Sequence, residues 1–172
     1  MGMQTDVLSA HISQSGFLMS GRTRLKQITY CGNAGQAGTL AIFDTVTAPI
    51  TGAYGRSGTT VTVTKSAHGR ATGDVVGIAF ASSSGASATD GNYTITVTDA
   101  NTFTITDINS GTVTPGTACY YVNGGGKWLT GLNTLTGATS AQQVPIPGEG
   151  VLAVNGLYAI LTYITFITVF YG

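Results

Sequence analysis

Two histidines, seven carboxylates and two cysteines are the side chains of this 172-residue chain best suited to acid–base, nucleophilic or metal chemistry. Their spacing gives them little to work with. His11 and His68 are far apart in sequence, and no carboxylate stands at a ligand-like interval from either. His68 precedes Gly69 at a strand end, where a hydrogen-bonded turn residue is expected. Asp74 and Asp90 each adjoin a glycine, and Asp44, Asp99 and Asp107 close strand-like runs, so turn capping accounts for all five. Asp90, Asp99 and Asp107 lack the alternating order of a calcium loop. No Gly-x-Ser-x-Gly occurs, and Ser82-Ser83-Ser84-Gly85 has no base nearby and reads as a linker. The glycine runs at 32–38 and 124–126 lack the ending of a phosphate cradle, since Gly126-Lys127 is followed by Trp128. The expectation is a protein without catalytic residues, metal or cofactor.

Composition points the same way. Charged residues make up 8% of the chain and cancel to zero, against about 25% in an ordinary domain. Neither nucleic acid nor an anionic membrane is an expected partner. Near-zero net charge weakens self-repulsion and favours work inside an assembly. Cys31 and Cys119 form no C-x-x-C, and two buried thiols are preferred to a disulfide. Met1–Asp6 has neither the basic nor the apolar part of a secretion signal, and Asp6 fills the position where myristoylation needs Ser or Thr. The expectation is a chain made and used without export, in which the Asn92-Tyr93-Thr94 sequon carries no weight. Leu157–Tyr171 is the most apolar stretch, but it is short for a membrane helix and rich in Thr, Tyr, Ile and Val. It reads as two core strands, Leu157–Thr162 and Thr165–Tyr171, with Tyr163-Ile164 at the bend.

The elements that must position these residues are strands. Residues 59–64, 74–80, 92–98 and 102–106 are short threonine-rich runs, and most alternate apolar residues with Thr. A period of two buries one face and leaves a hydroxyl face toward water. Further strands are expected around Ala10–Met19, Arg22–Tyr30, Gly38–Asp44 and Val151–Val154, with a loop at 32–38 and an Asn155-Gly156 hairpin before the terminal strands. The predicted fold is all-β, an antiparallel sandwich or jelly-roll-like domain of residues 1–53 with 127–172. A small β module of residues 54–126 is inserted through glycine-rich joints at 55–58 and 123–126. A single continuous sandwich with a long excursion is the alternative.

Val61–Ile78 followed by Asp90–Ile105 resembles a small β module met repeatedly in tailed-phage virion proteins. There a strand leads to a His-Gly turn (His68-Gly69), a Gly-Asp (Gly73-Asp74), a Gly-x-Tyr strand (Gly91-Asn92-Tyr93) and a Thr-Phe-Thr-Ile strand (Thr102–Ile105). Gly21–Lys26, Gly38–Asp44, Ile146–Gly150 and Thr168–Gly172 are similar to a compact class of small phage virion proteins. In those, the strand ending at the position of Asp44 runs almost directly to the Ile-Pro-Gly-Glu-Gly turn, so residues 54–126 would be an addition. The resemblance implies a virion structural role without choosing head or tail.

Two features suggest a contact surface. Arg22, Arg24 and Lys26 recur at period two and project to one face, suited either to carboxylates on a neighbour or to solvent. Trp128 at a joint and Tyr163-Ile164 at a bend are of types enriched in interfaces, although a core place for Trp128 is also open. The expected function is a capsid cement or decoration protein on the outer surface of the head. Its partners would be the major capsid protein and copies of itself, as a homotrimer. The alternative is a tail component, a fibre, hub or adhesion subunit that contacts other tail proteins and binds a glycan through Tyr93, Tyr120 or Tyr121. A carbohydrate-active enzyme would need a paired acid and base, which the sequence does not frame.

Overall fold

The structure, a computed structural model, describes residues 7–81, 86–123 and 125–172. Met1–Asp6, the Ser82–Gly85 linker and Gly124 of the second expected joint lie outside them. The described residues form fourteen strands and no helix: β1 (Leu8–Ile12), β2 (Gly16–Ser20), β3 (Thr23–Gly32), β4 (Thr39–Asp44), β5 (Ile50–Thr64), β6 (Val75–Phe80), β7 (Gly91–Thr94), β8 (Thr96–Asp99), β9 (Thr102–Tyr121), β10 (Lys127–Asn133), β11 (Gln142–Pro145), β12 (Val151–Ala153), β13 (Gly156–Thr162) and β14 (Ile164–Tyr171). The pairings of all strands other than β10 are antiparallel. The all-β class follows from the threonine and valine alternation, which suits a pleated, half-buried surface.

The chain divides into two compact units, residues up to Thr47 with Leu132–Gly172, and Ala48–Gly131. The first unit is a sandwich. One sheet runs β1-β14-β3-β11, with β12 also on β3; the other runs β4-β13-β2, with the returning strand β10 at the β4 edge. Leu25 and Ile28 of β3, Ile167 and Val169 of β14, Leu40 and Ile42 of β4, and Leu157 and Ala159 of β13 form its buried interior. Each fully buried aliphatic or aromatic side chain contributes roughly 1.5–3 kcal/mol.

Three connections in this unit change sheets, and the first two differ from expectation. The expected Ala10–Met19 strand is broken at Ser13–Ser15, so β1 joins β14 and β2 joins β13. Asn155-Gly156 does not close a hairpin, since β12 pairs with β3 whereas β13 pairs with β2 and β4. The cause is Asp44, a buried carboxylate that accepts the backbone N–H groups of Val154 (3.0 Å), Asn155 (2.7 Å) and Gly156 (3.1 Å). Those donors turn toward a residue more than a hundred positions away, and the chain steps across the sandwich. Tyr163 makes the third crossing, from β13 to β14, at φ 52°.

In the second unit the long ribbon of β5 and β9 carries β6 and β8 on β9, with β7 on β6. Its core gathers Tyr54, Val61, Val63, Val76, Ile78, Phe80, Phe103, Ile105, Cys119 and Tyr121. The expected 92–98 strand is split at buried Ile95, whose main chain bonds to Gly73 and Asp74. The glycine stretch at 55–58 is no joint: it lies inside β5, between two shifts of register against β9. The unit boundaries therefore lie outside both expected ones, near Thr47 and Gly131.

Candidate interaction surfaces

The basic stretch behaves as its period predicts, with one charge already engaged. Thr23 and Leu25 point inward, Arg22 is exposed, and Arg24 and Lys26 are half-buried. Arg24 Nη2 lies 3.2 Å from Glu149 Oε2, and its Nη1 donates to the Gly150 carbonyl at 3.4 Å. The Lys26 carbonyl accepts the Ile146 N–H at 2.9 Å, so the Ile146–Gly150 turn folds against this strand. An exposed pair of this kind contributes at most about 1 kcal/mol, and it leaves Arg22 and Lys26, within this stretch, without an ion partner among the described residues.

The expected apolar pair is split. Ile164 opens β14 and is buried, so it is no contact residue, whereas Tyr163 is 52% exposed. Its backbone is held firmly: the Tyr163 carbonyl accepts the Asn33 N–H at 3.1 Å, and Gly38 packs so closely on that carbonyl that a Cβ there would overlap it. Gly38 also donates to Thr134 Oγ1 at 2.7 Å and accepts the Thr134 N–H at 2.8 Å. This places the next residue, Leu135, in the same corner, and it is 83% exposed. Leu135 escaped the sequence reading. The available signal was a lone large aliphatic residue in the Thr134-Leu135-Thr136-Gly137 turn. The basic and apolar features are not brought together. Pairing of Ile164 with Gly32 and of Tyr171 with Leu25 puts them at opposite ends of β3, about 23 Å apart along the strand.

Trp128, in the second unit, is half-buried and fastened through its main chain. Asn92 Oδ1 accepts the Trp128 N–H and Asn92 Nδ2 donates to the Trp128 carbonyl, both at 2.9 Å, so one amide side chain imitates a strand partner. Gly77 lies beneath, where a Cβ would overlap Trp128 N. The indole Nε1 is buried without a partner among the described residues. Trp128 is thus an anchor of the chain leaving the second unit.

The residues weighed for chemistry serve the fold. His68 is buried edge-on against Phe103. Its Nδ1 accepts the Arg70 N–H at 3.0 Å, which puts the proton on Nε2, and Nε2 donates to the Asp99 carbonyl at 3.0 Å. Asp90 accepts the Phe80 N–H at 2.8 Å, and burial pushes its carboxyl up to about 6 against the pull of that bond. Of the tyrosines proposed for glycan contact, Tyr121 is fully buried, which removes it. Tyr93 and Tyr120 are half-buried, and the Tyr93 hydroxyl donates to the Thr89 carbonyl. Burial, then Asp107 and Asp90, push the Tyr93 hydroxyl up to about 12. Both cysteines are free and buried; burial raises the Cys119 thiol to about 12. Among the described residues no three of His, Cys, Asp or Glu gather as metal ligands, and no helix is long and apolar enough to cross a membrane.

One buried charge pair was not anticipated. Arg56 Nη2 lies 3.4 Å from Asp107 Oδ2, with both side chains almost wholly excluded from solvent. The guanidinium makes four further bonds, from Nε to the Gly58 carbonyl, from Nη1 to those of Ala86 and Ser87, and from Nη2 to the Asn109 carbonyl. Burial works to raise the Asp107 carboxyl. The N–H groups of Asn109 and Thr89, the Thr89 hydroxyl and Arg56 outweigh it and hold the group below the usual carboxylate range. Four residues of β9, Asp107–Ser110, oppose the single Thr59 where the register shifts, and this turns Asp107 inward. Compared with protein-family models, with curated proteins and with solved structures, the chain matches none.

Proposed function

We propose that this chain is a non-enzymatic structural protein of a tailed-phage particle, a cement or decoration protein on the outer surface of the head. It docks on the major capsid protein and on copies of itself as a homotrimer. The observation that carries the docking role is Tyr163. A large aromatic side chain stands half-exposed at a positive φ, on a backbone pinned by Asn33 and Gly38, beside exposed Leu135. Non-glycine residues in that region are strained, and such strain clusters where function requires a fixed geometry. A rigid aromatic next to an aliphatic is the usual centre of a protein interface. The assignment to a phage particle rests on the sequence resemblance. Stabilisation of a shell follows by mass action, because a ligand that binds only the assembled lattice favours it.

The test is to bind the purified chain to particles and count copies by quantitative mass spectrometry. Copies that match the repeated positions of a shell, lost on Tyr163→Gly, are expected; a few copies confined to one vertex would place the chain in the tail. The tail reading has one observation in its favour, the outward hydroxyl face of the second unit, where Thr60, Thr62 and Thr64 stand opposite Thr106, Thr104 and Thr102.

A further inference from the structure

The second unit contains a groove of about 520 Å³ on the β5–β9 ribbon, close to the register shifts. That volume is in the range of small-ligand sites. Its lining is unusual in what it leaves free. Ser57, Thr62, Thr64, Thr112 and Thr114 each present a hydroxyl with no hydrogen-bond partner among the described residues. Each can donate one bond and accept two.

The other polar groups in the wall are spent. The Arg56 guanidinium is held by four carbonyls of the unit and by the buried Asp107 carboxylate, and the Tyr54 hydroxyl donates to the Ala81 carbonyl at 3.0 Å. No carboxylate or lysine lines the groove. The remaining surface comes from Ala53, Val113, Pro115, Gly55, Gly116 and the threonine methyls. The groove thus offers uncharged donors and acceptors, interleaved with small apolar patches.

We propose that this groove binds a short neutral oligosaccharide. A sugar ring alternates hydroxyls with C–H faces, as the threonine rows alternate hydroxyls with methyls. An anionic sugar would lose hydration without gaining a free cation, which disfavours it. An extended peptide would seek unpaired main-chain groups, and the hydroxyl lining answers it poorly. The site differs from the tyrosine platform expected from sequence, and the inference stands on the groove's chemistry whether the chain sits on head or tail.

The test uses the full chain, titrated with maltotriose, cellotriose and chitotriose, and with trigalacturonate and trialanine, and read by amide chemical shifts. At least one neutral trisaccharide is expected to shift Ser57, Thr62 and Thr112, while trigalacturonate does not. Thr62→Val and Thr112→Val keep shape and strand preference and should each weaken binding roughly five- to ten-fold. Ser57→Ala supplies a third removal of a hydroxyl if either valine variant folds poorly. Silence from all three neutral sugars, shifts outside the groove, equal response to trigalacturonate, preference for trialanine, or hydroxyl-free variants that bind undiminished would each overturn the proposal. Binding is read on the isolated chain, so its failure leaves the particle copy number, and the docking role, to be decided separately.

Discussion

Arg56 shows how a single residue can be misread when its partner lies about fifty positions away. In the sequence it stands between glycines, where flexibility is the natural inference; in the fold its guanidinium ties β5 to two other stretches of chain, at 86–87 and 107–109. Removing one member of a buried pair strands the other's charge, at a cost of about 3–5 kcal/mol. Arg56→Met should therefore lower the urea stability of the second unit by that order, and Arg56→Met with Asp107→Leu should recover a large part of it. Asp90 makes a prediction of opposite kind. Its folded carboxyl titrates near 6 instead of 3.8, so the folded state holds its proton longer than the unfolded one. Its effect on stability is nil below about pH 4, becomes unfavourable as pH rises toward 6, and is constant above, a loss of the order of 2–3 kcal/mol. Asp90→Asn should flatten that decline in denaturation curves taken from pH 4 to 7. Tyr163→Gly relieves a positive φ, so the melting temperature should hold or rise slightly even as particle binding falls. A fall in both would mean that the ring supports the fold instead of docking.

At the scale of elements, the strands were legible because period-two patterning is local. Leu157–Thr162 and the bend at Tyr163 could be placed from residue types alone, and so could the shared face of Arg22, Arg24 and Lys26, although the alternation of β3 ends at Leu25 and the next buried residue is Ile28. Partners were not legible. Whether Asn155-Gly156 closes a hairpin or changes sheets depends on Asp44, and nothing within ten residues of the turn says so. The continuity of β5 through Gly55–Gly58 was hidden for the same reason, since β9 supplies the ladder that makes those glycines a strand. Of the candidate contact residues, Tyr163 is exposed as a residue at a bend should be, whereas Ile164 is buried because one position along the chain reverses the face. The Asn92 clamp makes an element-level prediction. Asn92→Ala removes both bonds to Trp128 and should cost about 1–3 kcal/mol. It should also shift the Trp128 fluorescence, while Asn92→Asp, which keeps only the acceptor, should fall between.

For the whole molecule, the single tryptophan belongs to the second unit, so its fluorescence reports that unit alone. Arg56→Met should move the fluorescence transition to lower denaturant and leave part of the far-ultraviolet circular dichroism change where it was. Superimposable shifts in both signals would show that the two units melt as one. The low charge also limits what electrostatics can do within the fold, where most of the described side-chain bonds join uncharged groups. The first unit is assembled from both flanks of the chain, and its last strand, β14, lies between β1 and β3. On the ribosome, β3 and β1 must wait with bare edges until β14 emerges, while the second unit, contiguous in sequence, is free to close first. Chains released early would expose two unpaired ribbons to one another, and crowded synthesis would turn such fragments into aggregates sooner than into particles.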